Sequence, residues 1–470
     1  MTDYAKNLQD FYGREDYALL AGQQGETAIE ASFKELTYIP RKTTPLPGLM
    51  AEKMLKEFAG QGAQPTALYL HIPFCNLRCS YCSFYRNPFE AEQVDEYVQA
   101  LLAELEHLEQ QGVFAKQKLE AVFFGGGTPS VLSPQQINAI LQKIHSVAKL
   151  TEDCELTFES SIYDLDADKL NACLDGGINR FSFGVQSFDT QLRRSLGRLN
   201  AKEEVTAKLE EVAAKDVKVI IDLIYGLNGQ TTELLLEDIR TALACGVSGM
   251  DLYKLQIMPK SPLGQAISKG NISYEYNDRL LAEMFIAADT LLAEQGARAL
   301  SCCHWAMRED ERSHYNTLVK SGANVIACGT ACGGHLGLYK YMKTMDKADY
   351  VKKSHAGQYA VMGMGRLSEH YHLLDKLSGQ CDAGCLDFAL LKKYSDADWQ
   401  QLLKPLLEQW ELLGLLYSMD GQYRFTAKGK YYYRQLDRVL LTAAEYALYG
   451  KPGLMEQAGQ KMMGLMKNMK

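Results

Sequence analysis

No long hydrophobic run is present in the 470-residue sequence. A membrane-spanning helix needs about 18 or more consecutive apolar residues, and no window approaches this length. The first 16 residues are mixed and polar, so they lack the positively charged start and the apolar stretch of a secretion signal. We therefore expect a soluble, cytoplasmic protein without a membrane span.

Runs of basic residues are absent as well. Lys and Arg number 50 against 58 Asp and Glu, which gives a formal net charge of −8. A protein that neutralises many phosphates normally presents a basic face, and no Lys/Arg-rich run is visible here. The sequence therefore predicts no nucleic-acid partner.

Cysteine, in contrast, occurs twelve times. Without a secretion signal the thiols should stay reduced, so disulfides are not expected. Clustered cysteines in such a chain are interpreted as metal ligands or as buried apolar residues.

Alternating strand and helix patterns begin at residue 66. Short apolar runs are separated by amphipathic stretches such as Val94–Glu109 and Pro134–Ala148. The six runs are Ala67–Ile72, Ala121–Gly125, Glu155–Glu159, Arg180–Val185, Val217–Tyr225 and Met250–Ile257. This repeat predicts an α/β fold with parallel strands, a partial (β/α)6 TIM-like barrel over residues 66–300. The apolar segments Arg298–Cys303 and Asn324–Cys328 are candidates to extend the sheet.

Three further segments flank the predicted barrel. Residues 1–65 lack strong periodicity and include a proline-rich stretch, which predicts an N-terminal arm packed over the main domain. Residues 301–385 form a predicted substrate-site extension. Residues 386–470 read as helices, a hairpin turning at Asp420-Gly421 and a further helix, which predicts a small winged-helix-like α+β domain. Because this domain lacks a basic surplus, we expect it to serve as structure or as a substrate lid.

A CxxxCxxC string, formed by Cys75, Cys79 and Cys82, directly follows the first predicted strand. Three thiolates at this spacing can wrap one four-iron cluster from a single short loop, since cysteine is the usual ligand of iron–sulfur clusters. Three protein ligands leave one iron open for a substrate.

Zinc is the alternative occupant, with His71 as a fourth ligand. The string lies at the C-terminal end of a predicted barrel strand, where barrel enzymes place their chemistry. A glycine turn also recurs at the end of the second strand, at Gly125-Gly126-Gly127-Thr128-Pro129. Glycines permit close backbone approach to a ligand. A structural zinc knuckle requires neither feature, so the cluster is the preferred interpretation.

Together these strings resemble the oxygen-independent coproporphyrinogen oxidase-like branch of radical S-adenosylmethionine (SAM) enzymes. The similarity is carried by YLHIPFCNLRCSYC, FFGGGTPS, TFESS, FSFGVQSF, IIDLIYGL and YKLQIMP. It implies a [4Fe-4S] cluster on the three cysteines, at which SAM is cleaved reductively. The residues that the resemblance places around the cluster and SAM are Tyr69, Tyr81, Gly126, Gly127, Thr128, Glu159, Gln186, Arg198, Asp222 and Gln256.

Physical chemistry agrees with this placement. Glu159, Gln186 and Asp222 fall at predicted strand ends facing one mouth of the barrel. A carboxylate suits the ribose hydroxyls of SAM, and an arginine suits its carboxylate.

Within the branch, coproporphyrinogen dehydrogenases carry a fourth cysteine where this sequence has Phe84. Haem chaperones share the Cys-x-Phe pattern, but their glycine loop is of a shorter Gly-x-Gly-Ala-His type. The longer loop here, Gly329–Tyr341, is more similar to that of the anaerobic haem-degrading methyltransferases (ChuW/HutW type). Cys328, just before this loop, and Cys332 and His335 within it depart from the expected pattern.

This similarity implies that two SAM molecules act on haem. A SAM-derived carbon is added to a meso carbon, the macrocycle opens to a linear tetrapyrrole, and iron is released. Haem is then the substrate, and an electron donor such as flavodoxin and a haem delivery protein are the expected partners. A haem chaperone or carrier, and a coproporphyrinogen III dehydrogenase, remain as alternatives.

Candidate haem ligands come from the histidines. His335 follows Gly333 and Gly334, and a glycine loop permits close approach of imidazole to iron. The alternative is a histidine that only makes hydrogen bonds in its loop, and His304 and His314 are weaker candidates. The irregular spacing of the other cysteine pairs favours buried free thiols over an auxiliary cluster.

Overall fold

The computed structural model describes residues 3–14, 17–22, 43–82, 87–275 and 277–450. The chain forms two compact units. The larger comprises Pro45–Arg366, and the smaller combines Met1–Thr44 with Leu367–Lys470.

Strands and helices are numbered here in chain order over the described residues. The strands are β1 Thr43–Leu46, β2 Thr66–Ile72, β3 Phe74–Cys75, β4 Asn87–Pro88, β5 Lys118–Gly126, β6 Lys149–Ser160, β7 Arg180–Gln186, β8 Lys218–Tyr225, β9 Gly249–Lys254, β10 Arg298–Ala299, β11 His304–Ala306, β12 Asn324–Cys328, β13 Gly333–Leu336, β14 Tyr339–Lys343, β15 Val361–Leu367, β16 Cys385–Leu386, β17 Leu416–Met419 and β18 Gln422–Phe425.

The α-helices are α1 Tyr4–Tyr12, α2 Tyr17–Leu20, α3 Ala51–Gly60, α4 Ala91–Gln110, α5 Pro134–Val147, α6 Ala167–Asp175, α7 Thr190–Ser195, α8 Lys202–Ala213, α9 Thr232–Ala244, α10 Pro262–Ser268, α11 Asp278–Glu294, α12 His314–Lys320, α13 Lys347–His355, α14 Tyr371–Ala383, α15 Trp399–Leu412, α16 Ala427–Tyr431 and α17 Tyr433–Tyr449. Short 3-10 turns occupy Gly48–Met50, Pro129–Val131 and Phe388–Lys393.

A mostly parallel sheet forms the centre of the larger unit. Its strand order is β1-β15-β14-β13-β12-β2-β5-β6-β7-β8-β9-β11-β10. The strands from β12 to β9 pair in parallel. Antiparallel strands continue the sheet at both sides, with β13 to β15 beyond β12 and β11 and β10 beyond β9. Since parallel strands point the same way, their carboxyl ends meet at one edge.

Hydrophobic patterning explains the central position of these strands. On β2, Leu68 and Leu70 on one face and Ala67 and His71 on the other are all buried, as expected for a strand covered on both faces. The intervening helices start at clear signals. Ser133 caps α5 by accepting a hydrogen bond from the Gln136 N–H at 3.2 Å, and the Gln136 side chain bonds back to the Ser133 backbone.

The smaller unit brings together segments that precede and follow the larger unit in sequence. Helix α1 packs against α17, where Phe11 is completely buried and its ring lies 5.5 Å from that of Tyr446. The Asn7 side chain also donates to the Ala447 carbonyl at 2.9 Å. The tight turn between β17 and β18 has positive φ at both Asp420 and Gly421, as a type I′ hairpin requires.

The predicted fold class is confirmed: an α/β fold with a mostly parallel sheet of the partial-barrel type. The helix–hairpin–helix order predicted after residue 386 is also present. The two compact units, however, divide the chain at residues 44/45 and 366/367, whereas the sequence predicted boundaries near 65, 300 and 385. In the N-terminal segment predicted to pack over the barrel, α1 belongs to the smaller unit, because its apolar face is buried against α17. None of the described helices is long and apolar enough to cross a membrane.

Candidate functional site

The three predicted cluster ligands lie on one loop at the carboxyl edge of the sheet. Cys75 ends β3 and is buried, while Cys79 and Cys82 follow it and are half-buried. The loop is anchored by its backbone, since the Ser80 N–H donates to the Leu196 carbonyl at 3.0 Å. Phe84, which the sequence used to separate subfamilies, lies outside the described residues.

Burial raises the pKa of the Cys75 thiol to about 11, and a hydrogen bond from the Thr128 hydroxyl at 3.4 Å opposes this shift. The neighbouring Cys82 and Cys79 thiols raise the pKa of Cys75 further, so the three sulfurs form one electrostatic group. A thiol of this kind becomes a thiolate most readily when a metal displaces its proton. The electrostatics therefore suit metal ligation better than free thiolate chemistry.

Within the described residues, no three His, Cys, Asp or Glu side chains converge on a point that would hold a single metal ion. In a [4Fe-4S] cluster each thiolate binds a different iron, so the ligands stay apart. His71, the candidate fourth zinc ligand, places Nδ1 3.3 Å from the Tyr69 hydroxyl, and its ring lies under Gly126.

The glycine turn packs directly on the cluster loop. A Cβ atom at Gly127 would lie 2.6 Å from the Phe74 carbonyl oxygen and 3.0 Å from the Cys75 sulfur. A Cβ atom at Gly126, where φ is +114°, would lie 2.7 Å from the His71 ring. Both positions therefore require glycine. Because Gly127 touches Cys75, a branched residue at 127 would disturb the cluster loop itself, although the two loops are separate in sequence.

Glu159 stands at the end of β6, beside this turn. Its Oε2 accepts a hydrogen bond from the Gly126 N–H at 3.2 Å. Burial raises the pKa of Glu159 to about 7, despite that hydrogen bond and the opposing charge of Arg180. The carboxyl group thus changes its charge near neutral pH.

Arg198 lies next to the cluster loop and donates from Nη2 to the Tyr81 hydroxyl at 3.0 Å. Burial alone would lower the pKa of Arg198, but Tyr81 and the thiol of Cys79 raise it, so the guanidinium remains charged.

Gln186, at the end of β7, has a positive φ of 72°. A non-glycine residue in this conformation carries strain of the kind found at ligand sites.

Asp222 on β8 completes the group. It is half-buried, and its desolvation followed by the charges of Asp251 and Glu159 raises its pKa well above the usual range, while Arg198 lowers it. Tyr69 on β2 is half-buried, and after burial the Glu159 charge is the next cause that raises its pKa. Gln256 lies two residues beyond β9 and is exposed.

Two structural observations fit a cluster and SAM at this place. The Nε of Arg198 is buried and has no hydrogen-bond partner among the described residues, as a donor reserved for a ligand carboxylate would be. Gly126 and Gly127 pack tightly on His71, Phe74 and Cys75, and the Gly126 N–H is bonded to Glu159, so this turn holds the cysteine loop and the Glu159 carboxyl group side by side. The donor set of thiols, carboxylate and guanidinium has the chemistry that both groups need.

His335 differs from its predicted role. It is buried on β13, with Nδ1 3.1 Å from the Ala323 carbonyl oxygen and Nε2 3.0 Å from that of Gly337. Both ring nitrogens therefore face backbone acceptors, and the contacts match the alternative interpretation, a histidine that holds its own hairpin. The structure gives no support to His335 as a haem ligand.

The sequence missed a chain of buried charges on the same sheet. His304 on β11 lies 3.1 Å from Asp251 and 3.4 Å from Glu311, and Glu311 in turn pairs with Arg180 at 3.1 Å. These residues are far apart in sequence, and only strand pairing brings them together. The sequence feature that could have drawn attention to these buried charges is the cluster of Cys302, Cys303 and His304 after an apolar segment.

A second buried pair supports the glycine-rich loop after β12. Glu104 on α4 pairs with Lys343 on β14 and accepts a hydrogen bond from the Gly329 N–H at 2.8 Å. Cys328 and Cys332 are buried beside this pair, and burial raises the pKa of both thiols. They pack as apolar residues, in keeping with the preferred sequence interpretation.

Known proteins with similar sequences include radical SAM enzymes and haem-related proteins. The Radical SAM superfamily profile matches residues 69–242. The chain is 31% identical to anaerobilin synthase from Escherichia coli O157:H7, over 80% of this chain and 84% of that protein. It is 31% identical to heme chaperone HemW from Bacillus subtilis (strain 168), over 57% of this chain and 70% of the chaperone.

Among solved structures, the coproporphyrinogen III oxidase (HemN) of Escherichia coli has a similar fold. It superposes with a TM-score of 0.73 at 20% identity, covering 87% of this chain and 98% of that chain. At this identity the likeness concerns the fold only. Together, the profile match and the long alignment with anaerobilin synthase show that the chain belongs to the radical SAM superfamily, in the branch related to coproporphyrinogen oxidase.

Proposed function

We propose that this protein degrades haem anaerobically, as a radical SAM C-methyltransferase. It would add a SAM-derived carbon to a porphyrin meso carbon, open the ring to a linear tetrapyrrole and release iron. The observation that carries this proposal is the alignment with anaerobilin synthase, which spans 381 residues and extends far beyond the conserved superfamily segment of residues 69–242.

Cys75, Cys79 and Cys82 would hold the cluster, which supplies the electron for reductive cleavage of SAM. The remaining residues would bind and orient SAM beside it. The backbone of Gly126 and Gly127 would face the methionine part, and Glu159 would accept hydrogen bonds from the ribose hydroxyls.

The guanidinium of Arg198 would pair with the SAM carboxylate, since its Nε is buried and has no partner in the described structure. Thr128 would keep the Cys75 sulfur in place through its hydroxyl. Tyr69, Tyr81, Gln186, Asp222 and Gln256 are proposed as further neighbours of the cluster or SAM.

Three neighbouring aromatic rings, two on strands of the sheet and one on helix α12, suit the binding of a flat substrate. The rings of Phe123 and Tyr315 lie 4.6 Å apart, and Tyr69 lies 6.0 Å from Phe123. All three are half-buried, and Glu159 acts electrostatically on Tyr69 and Tyr315. Aromatic faces bind planar apolar groups well, so these three rings suit a macrocycle held next to SAM. A held substrate is essential, because a loose radical would react with side chains or solvent.

The test is an anaerobic incubation of reconstituted protein with haem, methyl-labelled SAM and a reductant. We expect bleaching of the haem absorbance, one labelled carbon in a linear tetrapyrrole, and iron that a chelator can take up. The Cys75→Ala variant should give none of these. Decarboxylation of coproporphyrinogen, or no labelled product from haem, would overturn the proposal.

A haem chaperone is the second candidate, because the heme chaperones HemW match 57% of this chain. The same incubation separates the two functions. A carrier would retain the haem spectrum under reducing conditions and give no labelled tetrapyrrole. Flavodoxin as the electron donor, a second SAM molecule and a haem delivery protein are further parts of the proposal.

A further inference from the structure

The chain of buried charges on the larger unit's sheet has no role in the function proposed above. It runs from Glu155 on β6 through Arg180 on β7 to Glu311, His304 on β11 and Asp251 on β9. Each of these residues is less than a tenth exposed. Removing so many charges from water is costly, and such groups contribute little to stability compared with well-packed apolar residues. Buried charged groups of this kind are therefore candidates for a functional role.

Hydrogen bonds fix one part of the chain of buried charges, the pair formed by Arg180 and Glu311. Arg180 donates to Glu311 from both Nε and Nη2, at 3.2 and 3.1 Å. The backbone N–H of Ser313 donates to the same carboxylate at 2.8 Å. Glu311 is thus held in one position, and it lies 3.4 Å from Nε2 of His304. Both ring nitrogens of His304 lie near carboxylates; burial lowers the pKa of His304, but the charge of Asp251 outweighs it, and the pKa is raised to about 9.

At its other end, the chain of buried charges reaches the proposed SAM site through His304 and Asp251. His304 stands directly opposite Asp251 in the pairing of β11 with β9, and its Nδ1 is 3.1 Å from the Asp251 carboxylate. Asp251 stands directly opposite Asp222 in the pairing of β9 with β8. Adjacent strands are about 4.8 Å apart, so these two carboxyl groups are close neighbours. Burial, followed by the charge of Asp251, raises the pKa of Tyr253 well above its usual range.

We infer that Asp251 is a further ligand-binding residue of the SAM site and that His304 is its positioning residue. His304 neutralises one of two adjacent carboxylates and fixes its orientation toward the interior. Asp251 is then set to accept hydrogen bonds from a hydroxyl or ammonium group of SAM beside Asp222. This inference concerns SAM binding alone and does not depend on which substrate the radical attacks.

The experiment measures SAM affinity by anaerobic equilibrium dialysis, using reconstituted protein with the cluster oxidised so that no turnover occurs. Asp251→Asn and His304→Gln should each weaken SAM binding about tenfold, with iron content unchanged. His107→Gln is the matched control. His107 is also buried and pairs with a carboxylate, Glu52, at 3.2 Å, but on helix α4. It should leave SAM affinity unchanged.

A double variant, Asp251→Asn with His304→Gln, separates positioning from simple charge balance. Removing only His304 leaves buried carboxylates uncompensated and should lower Tm. The double variant should regain part of that loss but none of the SAM affinity. Wild-type SAM affinity in Asp251→Asn or in the double variant would overturn the inference. If the variants bind SAM more weakly as expected but the wild-type protein does not convert haem, only the proposed reaction is refuted.

Discussion

The Glu159 carboxylate accepts a hydrogen bond from the Gly126 backbone N–H at 3.2 Å. This contact joins the carboxyl ends of β5 and β6, and it places a titrating group against the backbone that would face SAM. Burial raises the pKa of Glu159 to about 7.

SAM affinity should therefore depend on pH around neutrality. Glu159 accepts ribose hydroxyls best when ionised, and raising the pH through about 7 ionises it. We expect SAM binding to be roughly tenfold weaker at pH 6 than at pH 8, because the ionised fraction changes by about that factor. Glu159→Gln should flatten this dependence. A wild-type affinity that is constant over this range would exclude the ribose role.

The same pKa has a consequence for stability. The pKa of Glu159 is higher in the folded state than in the unfolded chain, so between about pH 4.5 and 7 the folded protein binds more protons. The contribution of this residue to the free energy of unfolding should therefore fall as the pH rises through that window. Thermal denaturation of wild type and Glu159→Gln measures it: the difference between them should grow in the variant's favour as the pH rises.

Replacing Cys75, Cys79 and Cys82 by Ala should abolish both iron binding and SAM cleavage. Wild-type protein should bind about four irons after anaerobic reconstitution and form 5′-deoxyadenosine when reduced. Cys245→Ala, a buried cysteine just after α9, is the control and should keep both properties. Tight zinc binding without iron in the wild type would contradict the cluster assignment.

Gly126→Ala should weaken SAM binding by at least tenfold, about 1.4 kcal/mol. The new Cβ would lie 2.7 Å from the His71 ring, at a φ of +114° that alanine rarely adopts. Iron content should persist, because this Cβ meets His71 and not the cysteines. Gly62→Ala, where nothing lies within 4 Å, provides a comparison and should bind SAM normally. Equal affinity in both variants would assign the turn a structural role only.

His335→Ala should lower stability by about 1–3 kcal/mol, because the imidazole N–H that bonds the carbonyl oxygen of Ala323 or Gly337 is lost and that oxygen is left without its donor. The haem absorbance spectrum and SAM cleavage without haem should stay as in the wild type. A shifted Soret band in this variant would restore His335 as an iron ligand and contradict the hydrogen bonds observed here.

Local patterns were enough to predict the sheet and the position of Cys75, Cys79 and Cys82 on one loop after its first central strand. The apolar runs match the central strands because those strands are buried on both faces, and the CxxxCxxC spacing lies within one loop. Long-range contacts could not be predicted in this way. His335 looked like a ligand beside its glycines, but the Ala323 carbonyl that it faces becomes a neighbour only when β13 pairs with β12.

The chain of buried charges from Arg180 to Asp251 could not be predicted from local sequence patterns either. Its members lie on four separate segments, and each one alone resembles an ordinary polar residue. Their alignment depends on the register of β9 and β11, which no local pattern specifies. Similarly, the burial of Phe11 against α17 could not be deduced from α1 alone.

The packing of α1 against α17 also bears on how the protein is made. A ribosome releases α1 before the larger unit and α17 after it, so α1 and α17 cannot pack together until α17 has emerged. The larger unit, Pro45–Arg366, emerges in between as one continuous stretch and has its own sheet. Domains generally fold as units during synthesis. The cysteine loop can therefore meet iron on a folded sheet while the apolar face of α1 still awaits its partner.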